Sequence, residues 1–191
     1  MMKKFVIATN NTHKIKEIAN LAKGKIIFNS LNDIGCFESI PEEQDTLEGN
    51  AQQKARYIYE KYGVDCFADD TGLEVDVLNG EPGVFSARYA GENATFDDNV
   101  CKLLDNMTGK VNRNAKFRTV ICLIENGKEI YFEGVCKGTI TLTRRGNDGF
   151  GYDPIFLPYG YNKTFAEMHI EEKNTISHRA LAITKLLNYL I

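Results

Sequence analysis

Two adjacent carboxylates, Asp69 and Asp70, follow an apolar run in the stretch FADDTGLEVDVLNGEPGVFSARYAG, residues 67–91. The run Cys66-Phe67-Ala68 predicts the end of a buried strand, and the alternation from Leu73 to Leu78 predicts a second strand. The Asn-Gly and Pro-Gly pairs that follow are typical of turns. The sequence therefore predicts an α/β chain with an acidic pair at the end of one of its strands.

Two neighbouring carboxylates at the end of a buried strand need compensation, because like charges repel and burial raises the pKa of each acid. Mg²⁺ provides such compensation, since it binds one or two carboxylates together with substrate phosphates. The alternative is a solvated turn, where aspartate is also common. The pair Asp69-Asp70 is thus a candidate metal site or an ordinary turn.

Composition limits the classes of partner. The 191 residues suffice for one domain, residues 1–191, and 43% of them are hydrophobic. The formal net charge is −3 without a block of like charges, so we expect neither a nucleic acid nor a membrane as partner. We also expect no signal peptide, since the apolar run after the first lysines is short. Five cysteines without a CxxC pair indicate reduced thiols and a cytoplasmic location.

A polar turn precedes the first predicted helix. The apolar run of residues 5–8 predicts a buried strand, and Thr9-Asn10-Asn11-Thr12 leads from it into a helix with Lys14 in its first turn. Free N–H groups at a helix start bind anions, so the turn is a candidate phosphate site. Simple capping is the alternative, although it explains Lys14 less well because cations are disfavoured there. Lys54, beside the apolar stripe of a helix predicted over residues 47–62, either snorkels to solvent or reaches a cleft.

Two segments in the last third of the chain carry further candidates. The stretch RRGNDGFGYDPIFLP, residues 144–158, places Phe150 and Tyr152 on a glycine-rich loop, where they could stack on a flat ring. It is not a P-loop, since the chain has no GxxxxGK[ST] motif. The final segment predicts a helix, and residues 177–179, Ser-His-Arg, lie near its start with Lys173.

These segments, taken in order, resemble the Ham1/inosine triphosphate pyrophosphatase family. The resemblance is carried over nearly the whole chain by ATNNTHK (8–14), PEEQDTLE (41–48), the Lys54 helix, residues 67–91, GFGYDPIF (149–156) and FAEMHIEEKNTISHR (165–179). It implies a long mixed β-sheet flanked by helices, with two lobes around a central cleft, and a homodimer. It also implies Mg²⁺-dependent hydrolysis of ITP, dITP and XTP to the monophosphate and pyrophosphate.

The resemblance also implies roles for individual residues. Asp70 matches the catalytic carboxylate and metal ligand, and Glu42 the second metal carboxylate, with the neighbouring Glu43 as its alternative. Lys14, Lys54 and Lys173 match phosphate ligands. The remaining matches are substrate contacts, at the phosphate turn and in the base pocket: Thr9, Asn10, Asn11, Thr12, His13, Thr71, Phe150, Gly151, Tyr152, Asp153, His178 and Arg179.

Three other functions fit part of the sequence. A Maf-type nucleotide pyrophosphatase has a related fold but lacks the SHR and FGYD segments in this form. A nucleotide sensor that binds without hydrolysis would not need the Asp69-Asp70 pair, and a structural module would leave the glycine-aromatic loop and the lysines unexplained. For Arg179 the alternative to a base contact is an ion pair with Glu171 or Glu172.

Overall fold

The computed structural model describes residues 4–22 and 26–190. Helices and strands alternate along most of the chain, as the sequence predicts for an α/β protein. In chain order the elements are β1 (Lys4–Ile7), α1 (Thr12–Ala22), β2 (Ile27–Asn29), α2 (Leu47–Tyr62), β3 (Cys66–Val75), β4 (Pro82–Gly83), α3 (Phe96–Asn106), β5 (Asn114–Glu125), β6 (Lys128–Ile140), β7 (Phe156–Pro158), α4 (Ile170–Ile176) and α5 (His178–Leu190).

The strands of the described residues form one mixed sheet of seven strands in the order β2-β1-β3-β5-β6-β7, with β4 paired to β3. Strand β1 runs parallel to β2 and to β3, whereas β4 is antiparallel to β3 and β7 to β6. The expected mixed sheet flanked by helices is thus confirmed. No helix within the described ranges has the length and apolarity needed to cross a membrane.

The chain divides into two compact units, although the sequence predicted a single domain. The first unit takes the described residues within Met1–Asp70, Thr119–Gly134 and Arg179–Ile191. Its core joins Phe5 and Ile7 of β1, Ile18 of α1 and Ile183 of α5 with residues of β3 and β5. Asn126 and Gly127, both at positive φ, form the two-residue turn between β5 and β6, a position that an Asn-Gly pair favours.

The second unit takes residues Thr71–Arg118 and Val135–His178. Its core gathers apolar side chains from α3, β5 and β6 and from the segment after β6, among them Leu103, Phe117 and Phe156. Helix α3 begins with a capping box, in which Thr95 and Asp98 each accept a hydrogen bond from the other's backbone N–H. The single domain over residues 1–191 stays a prediction.

Strand β3 differs from its prediction in one respect. The acidic pair does not end the strand, because a single strand runs from Cys66 through Asp69 and Asp70 to Val75, and residues Asp76–Leu78 form a 3₁₀ turn. Gly72 permits β4 to pair closely with β3, since a side chain at position 72 would meet the Gly83 carbonyl oxygen at 2.5 Å. Two charges and a glycine resemble a strand end in the sequence, but here they lie inside the strand.

Helix α2 is capped as its sequence favours. The Thr46 hydroxyl accepts a hydrogen bond from the Gly49 N–H, and Gly63 ends the helix in the left-handed conformation. The helix places Asn50 and Lys54, four residues apart, on one buried face. The cap at Thr46 therefore supports the part of the helix that carries Asn50 and Lys54.

We expect Thr46→Ala to lower the free energy of unfolding by about 1 kcal/mol, because the N–H of Gly49 loses its side-chain acceptor. Thr46→Ser, the matched control, keeps the hydroxyl and should stay close to wild type. Urea unfolding of the three proteins checks this. Equal losses for both variants would contradict a capping role.

Candidate active site

The two adjacent carboxylates of β3 have different surroundings. Successive side chains of a strand point to opposite faces, so Asp69 and Asp70 meet different neighbours. Both carboxylates are buried, and Asp69 is only 1% exposed. The solvated-turn alternative is therefore wrong.

Asp69 is held by two cations. Its Oδ2 lies 3.0 Å from Lys14 Nζ and accepts a hydrogen bond of 3.3 Å from Arg179 Nε. Burial opposes ionisation of this carboxyl, but the charges of Lys14 and Arg179 outweigh it and lower its pKa below the ordinary range. Arg179 also donates to Glu17, a buried residue of α1. Asp69 is thus an ionised anchor in a buried network.

Asp70 is less compensated. Its Oδ1 lies 3.6 Å from Lys54 Nζ, and its Oδ2 accepts a hydrogen bond of 3.1 Å from Asn50 Nδ2. Burial raises the pKa of Asp70, and Lys54 and Lys14 offset that effect only in part. The two neighbouring acids therefore differ, since one is firmly ionised and the other accepts a proton more readily.

Lys54 joins Asp70 to a second carboxylate. Its ammonium donates a hydrogen bond to Glu42, and although burial opposes its charge, Asp70 and Glu42 raise its pKa. Of the two candidate glutamates, Glu42 has its carboxylate on Lys54, whereas the Glu43 backbone N–H donates to Gln53. Among the described residues no group of three or more metal-ligating His, Cys, Asp or Glu side chains occurs.

The turn before α1 is capped, and its lysine has a partner. Asn11 Oδ1 accepts from the backbone N–H groups of His13 and Lys14, at 3.0 and 3.2 Å, and Thr9 Oγ1 accepts from the Asn11 N–H. The Lys14 ammonium reaches back to Asp69. Capping and a charged site are therefore both present, while Asn10 and Thr12 are exposed beside them.

In the second unit, Asp153 organises the glycine-aromatic loop. Its Oδ2 accepts from the Phe150 N–H and from Lys173 Nζ, each at 2.8 Å. The Lys173 ammonium lies 5.4 Å from the ring centroid of Phe150. Gly149 has φ +77° and leaves no room for a side chain beside the Asp153 carboxylate, which explains the glycine. Lys173, predicted as a phosphate ligand, thus lies with the predicted base-pocket residues.

Two other predicted residues of this unit are also placed by contacts. The buried Tyr152 donates its hydroxyl to the Ser86 carbonyl oxygen at 2.9 Å. His178 stacks on Phe117, with ring centroids 4.5 Å apart and an angle of 17° between the planes. Thr71 and Gly151 are half-buried. These contacts fix the aromatic surroundings of the loop.

Arg179 lies among the carboxylates of the first unit. The alternative partners proposed from the sequence, Glu171 and Glu172, are wrong, because the guanidinium contacts Glu17 and Asp69. Those acids lie 162 and 110 positions away in the sequence, so local reasoning could not find them. Its predicted role in base selection stays a prediction.

Sequence reasoning missed two buried polar residues of the first unit, Glu17 and Asn50. Glu17 follows Lys14 by three positions and precedes Ile18 of the buried stripe of α1, and Asn50 precedes Lys54 by four positions on α2. Helix neighbours at these spacings share a face. A polar residue beside a predicted site lysine was therefore a usable signal.

The fold and this cluster define an α/β protein with a buried carboxylate–lysine site on one strand of a mixed sheet. The model of the Ham1 family matches residues 5–189, and the chain belongs to this family. The "dITP/XTP pyrophosphatase" of Flavobacterium johnsoniae is 56% identical over 187 residues, covering 98% of this chain and 97% of that protein. The protein of the same name from Porphyromonas gingivalis is 52% identical over 191 residues, covering 100% and 98%.

Solved structures agree with this assignment. A Ham1 protein from Coxiella burnetii superposes with a TM-score of 0.91 at 38% identity, covering 100% of this chain and 98% of the other. The Ham1 protein of Staphylococcus aureus gives a TM-score of 0.89 at 37% identity, covering 98% of each chain. The family resemblance inferred from the motifs is thus confirmed.

We expect Glu17→Ala to lower the free energy of unfolding by about 3–5 kcal/mol, because it removes one partner of a buried ion pair with Arg179. Glu60→Ala is the matched control, since its exposed pair with Arg56 on α2 should contribute little. Urea unfolding measures both. A Glu17→Ala protein as stable as the control variant would contradict the anchoring role of this pair.

Proposed function

We propose that this protein hydrolyses the non-canonical purine nucleoside triphosphates dITP, XTP and ITP to the monophosphate and pyrophosphate. The observation that supports this most is the Asp70 carboxylate, buried on β3 between Lys54 and Asn50. A base beside a cation is what phosphoanhydride hydrolysis needs, since water must lose a proton while negative charge develops on phosphate oxygens. The relatives named dITP/XTP pyrophosphatase support the choice of substrate.

The proposed phosphate ligands are lysines and the turn before α1. Lys14 and Lys54 supply ammonium donors, and the turn from Thr9 to Lys14 supplies the start of α1. Charge-assisted hydrogen bonds from such groups suit phosphate oxygens. Lys173 is proposed as a further phosphate ligand, in competition with its present partner Asp153.

The proposed chemical step uses Asp70 as the proton acceptor. A water molecule forms a bond to the α-phosphorus, the bond from that phosphorus to the bridging oxygen breaks, and pyrophosphate leaves with that oxygen. The proton of the water passes to the Asp70 carboxylate, for which Asn50 and Lys54 fix both oxygens. Asp69 does not serve this role, because Lys14 and Arg179 lower its pKa and so make it a weaker proton acceptor than Asp70.

Mg²⁺ is the proposed cofactor, and the donor set fits it. Glu42 and Asp70 both contact Lys54, so two oxygen ligands converge there, and Mg²⁺ takes one or two carboxylates together with phosphate oxygens. When bound, the ion would polarise the phosphoryl oxygens and lower the pKa of water. Glu42 and Asp70 are its proposed ligands.

The base is proposed to bind at the glycine-aromatic loop. Phe150 offers a half-buried ring for stacking, which supplies affinity for any base. Asp153 holds that loop through the Phe150 N–H, and Tyr152 is tied to Ser86. Thr71, Gly151 and His178 complete the proposed substrate contacts.

Arg179 is proposed to select the base. Hypoxanthine and xanthine carry an oxo acceptor at position 6, whereas adenine carries an amino donor, and a guanidinium offers donors only. The hydrogen bonds to Glu17 and Asp69 hold the plane of the guanidinium in one orientation. A mismatched adenine would leave buried donors facing each other.

A cytoplasmic location and a homodimer are also proposed. All five cysteines are free thiols, which supports a reducing compartment. Size-exclusion chromatography with light scattering would measure the oligomeric state.

We expect Asp70→Asn to lower kcat for pyrophosphate release from ITP by roughly 10²–10⁴, the scale of a lost general base. Asp76→Asn, which removes an exposed carboxylate six residues further on, serves as the control and should leave kcat unchanged. Full turnover of a folded Asp70→Asn protein would exclude Asp70 as the base.

The wild-type protein, tested with Mg²⁺ on ITP, dITP, XTP, ATP, GTP and modified pyrimidine nucleotides, tests the function itself. Release of pyrophosphate from the first three supports the proposal. Binding without release would indicate a sensor, and a preference for other modified nucleotides would favour a Maf-type activity.

We expect Arg179→Lys to narrow the ITP-to-ATP ratio of kcat/KM by roughly 5- to 150-fold, since lysine keeps the charge beside Asp69 but loses the planar donor set. Phe150→Ala should lower kcat/KM for both nucleotides and leave their ratio nearly intact, because stacking does not distinguish purines. Steady-state kinetics on both substrates checks this. An unchanged ratio in Arg179→Lys would remove Arg179 from base selection.

A further inference from the structure

Asn50 is buried, and both polar atoms of its side-chain amide make hydrogen bonds. It is 1% exposed, its Nδ2 donates to Asp70 Oδ2 at 3.1 Å, and its Oδ1 accepts from the Gln44 N–H at 2.9 Å. A backbone N–H can only donate, so Gln44 fixes which end of the amide is oxygen and turns the Nδ2 group toward Asp70. The side chain therefore has one possible orientation, and this orientation favours an acceptor at Asp70.

The same amide ties two parts of the site together. Gln44 lies two residues after Glu42, so the Oδ1 contact restrains the segment that carries the second carboxylate. Lys54, one helical turn further along α2, contacts Glu42 and Asp70. Two residues of one rigid helix thus hold both carboxylates, and each oxygen of Asp70 has its own partner on α2.

We propose that Asn50 is a positioning residue that aims the Asp70 carboxylate for proton transfer, an inference that rests on the proposed function. The Nδ2 group of Asn50 restrains Asp70 Oδ2, whereas the contact of Asp70 Oδ1 with Lys54, at 3.6 Å, is too long for a directional hydrogen bond. Without the Nδ2 donor, the Asp70 carboxylate can therefore rotate about its side-chain bonds. A base displaced by about 1 Å loses on the order of 100-fold in rate. Asn50 acts through Asp70 and does not contact substrate.

Three variants of α2 separate this role from a general structural one. Asn50→Ala removes both hydrogen bonds, whereas Asn50→Asp keeps an acceptor for Gln44, removes the amide donor to Asp70 and adds a carboxyl group beside it. Gln52→Ala is the matched control, because Gln52 is also a side-chain amide of α2 that donates to a carboxylate, that of Glu129 at 2.8 Å. We expect kcat for ITP to fall on the order of 10- to 100-fold in both Asn50 variants and to change little in Gln52→Ala, with KM changed little throughout.

The Asp70→Asn background supplies the decisive comparison. If Asn50 acts through Asp70, Asn50→Ala adds little further loss of kcat once the base is gone, so the two effects do not add. An equal loss from Asn50→Ala in both backgrounds would overturn the proposal. Wild-type kcat in Asn50→Ala would also overturn it, since that variant lacks the amide donor to Asp70.

A second measurement does not depend on activity. Urea unfolding of the protein without nucleotide or metal, for Asn50→Ala, Asp70→Ala and the double variant, reports whether the two side chains are coupled. We expect non-additive shifts of the unfolding midpoint, and additive shifts would contradict the contact. If the wild type released no pyrophosphate from any nucleotide tested, the proposed function would fail, while this cycle would still decide the Asn50–Asp70 contact.

Discussion

The structure of the first unit depends on two consecutive carboxylates buried in one strand. Because side chains alternate along β3, Asp69 and Asp70 make different direct contacts with the surrounding cations. Lys14 and Arg179 serve Asp69, and Lys54 serves Asp70. Desolvating these acids would be strongly unfavourable without such partners. The unequal compensation of the two sites leaves Asp70 the more basic carboxylate.

This constraint explains why elements distant in sequence are brought to β3. Lys14 comes from α1, Lys54 from α2 and Arg179 from α5. Each of these helices also buries apolar residues in the first unit, Ile18, Ile58 and Ile183 among them. Hydrophobic packing therefore holds the helices in place, and the ion pairs fix the side chains that the packing brings near the strand.

Local rules account for much of the local structure. The Thr95 capping box, the Asn126-Gly127 hairpin and the amphipathic α2 follow from residues within a few positions of one another. The continuous course of β3 was missed, because its two charges are compatible with a strand interior only when remote cations compensate them. The partners of Arg179 could not be predicted for the same reason, since Glu17 and Asp69 become its neighbours only through the tertiary fold. The family motifs selected Asp70 and Lys54 but not Asn50, which binds Asp70 through an uncharged amide.

The charge balance of the cluster bears on how a triphosphate is bound. Its cations are Lys14, Lys54 and Arg179, and its acids are Glu17, Glu42, Asp69 and Asp70, so its formal charge is 3 − 4 = −1. The net charge of such a cluster repels a polyanion at a distance, although its lysines still offer local donors to phosphate oxygens. One divalent cation bound to Glu42 and Asp70 changes the sum to −1 + 2 = +1, and attraction then replaces repulsion. In the proposed function, metal and nucleotide therefore bind cooperatively, because the carboxylates that provide the base and the metal ligands otherwise exclude the substrate.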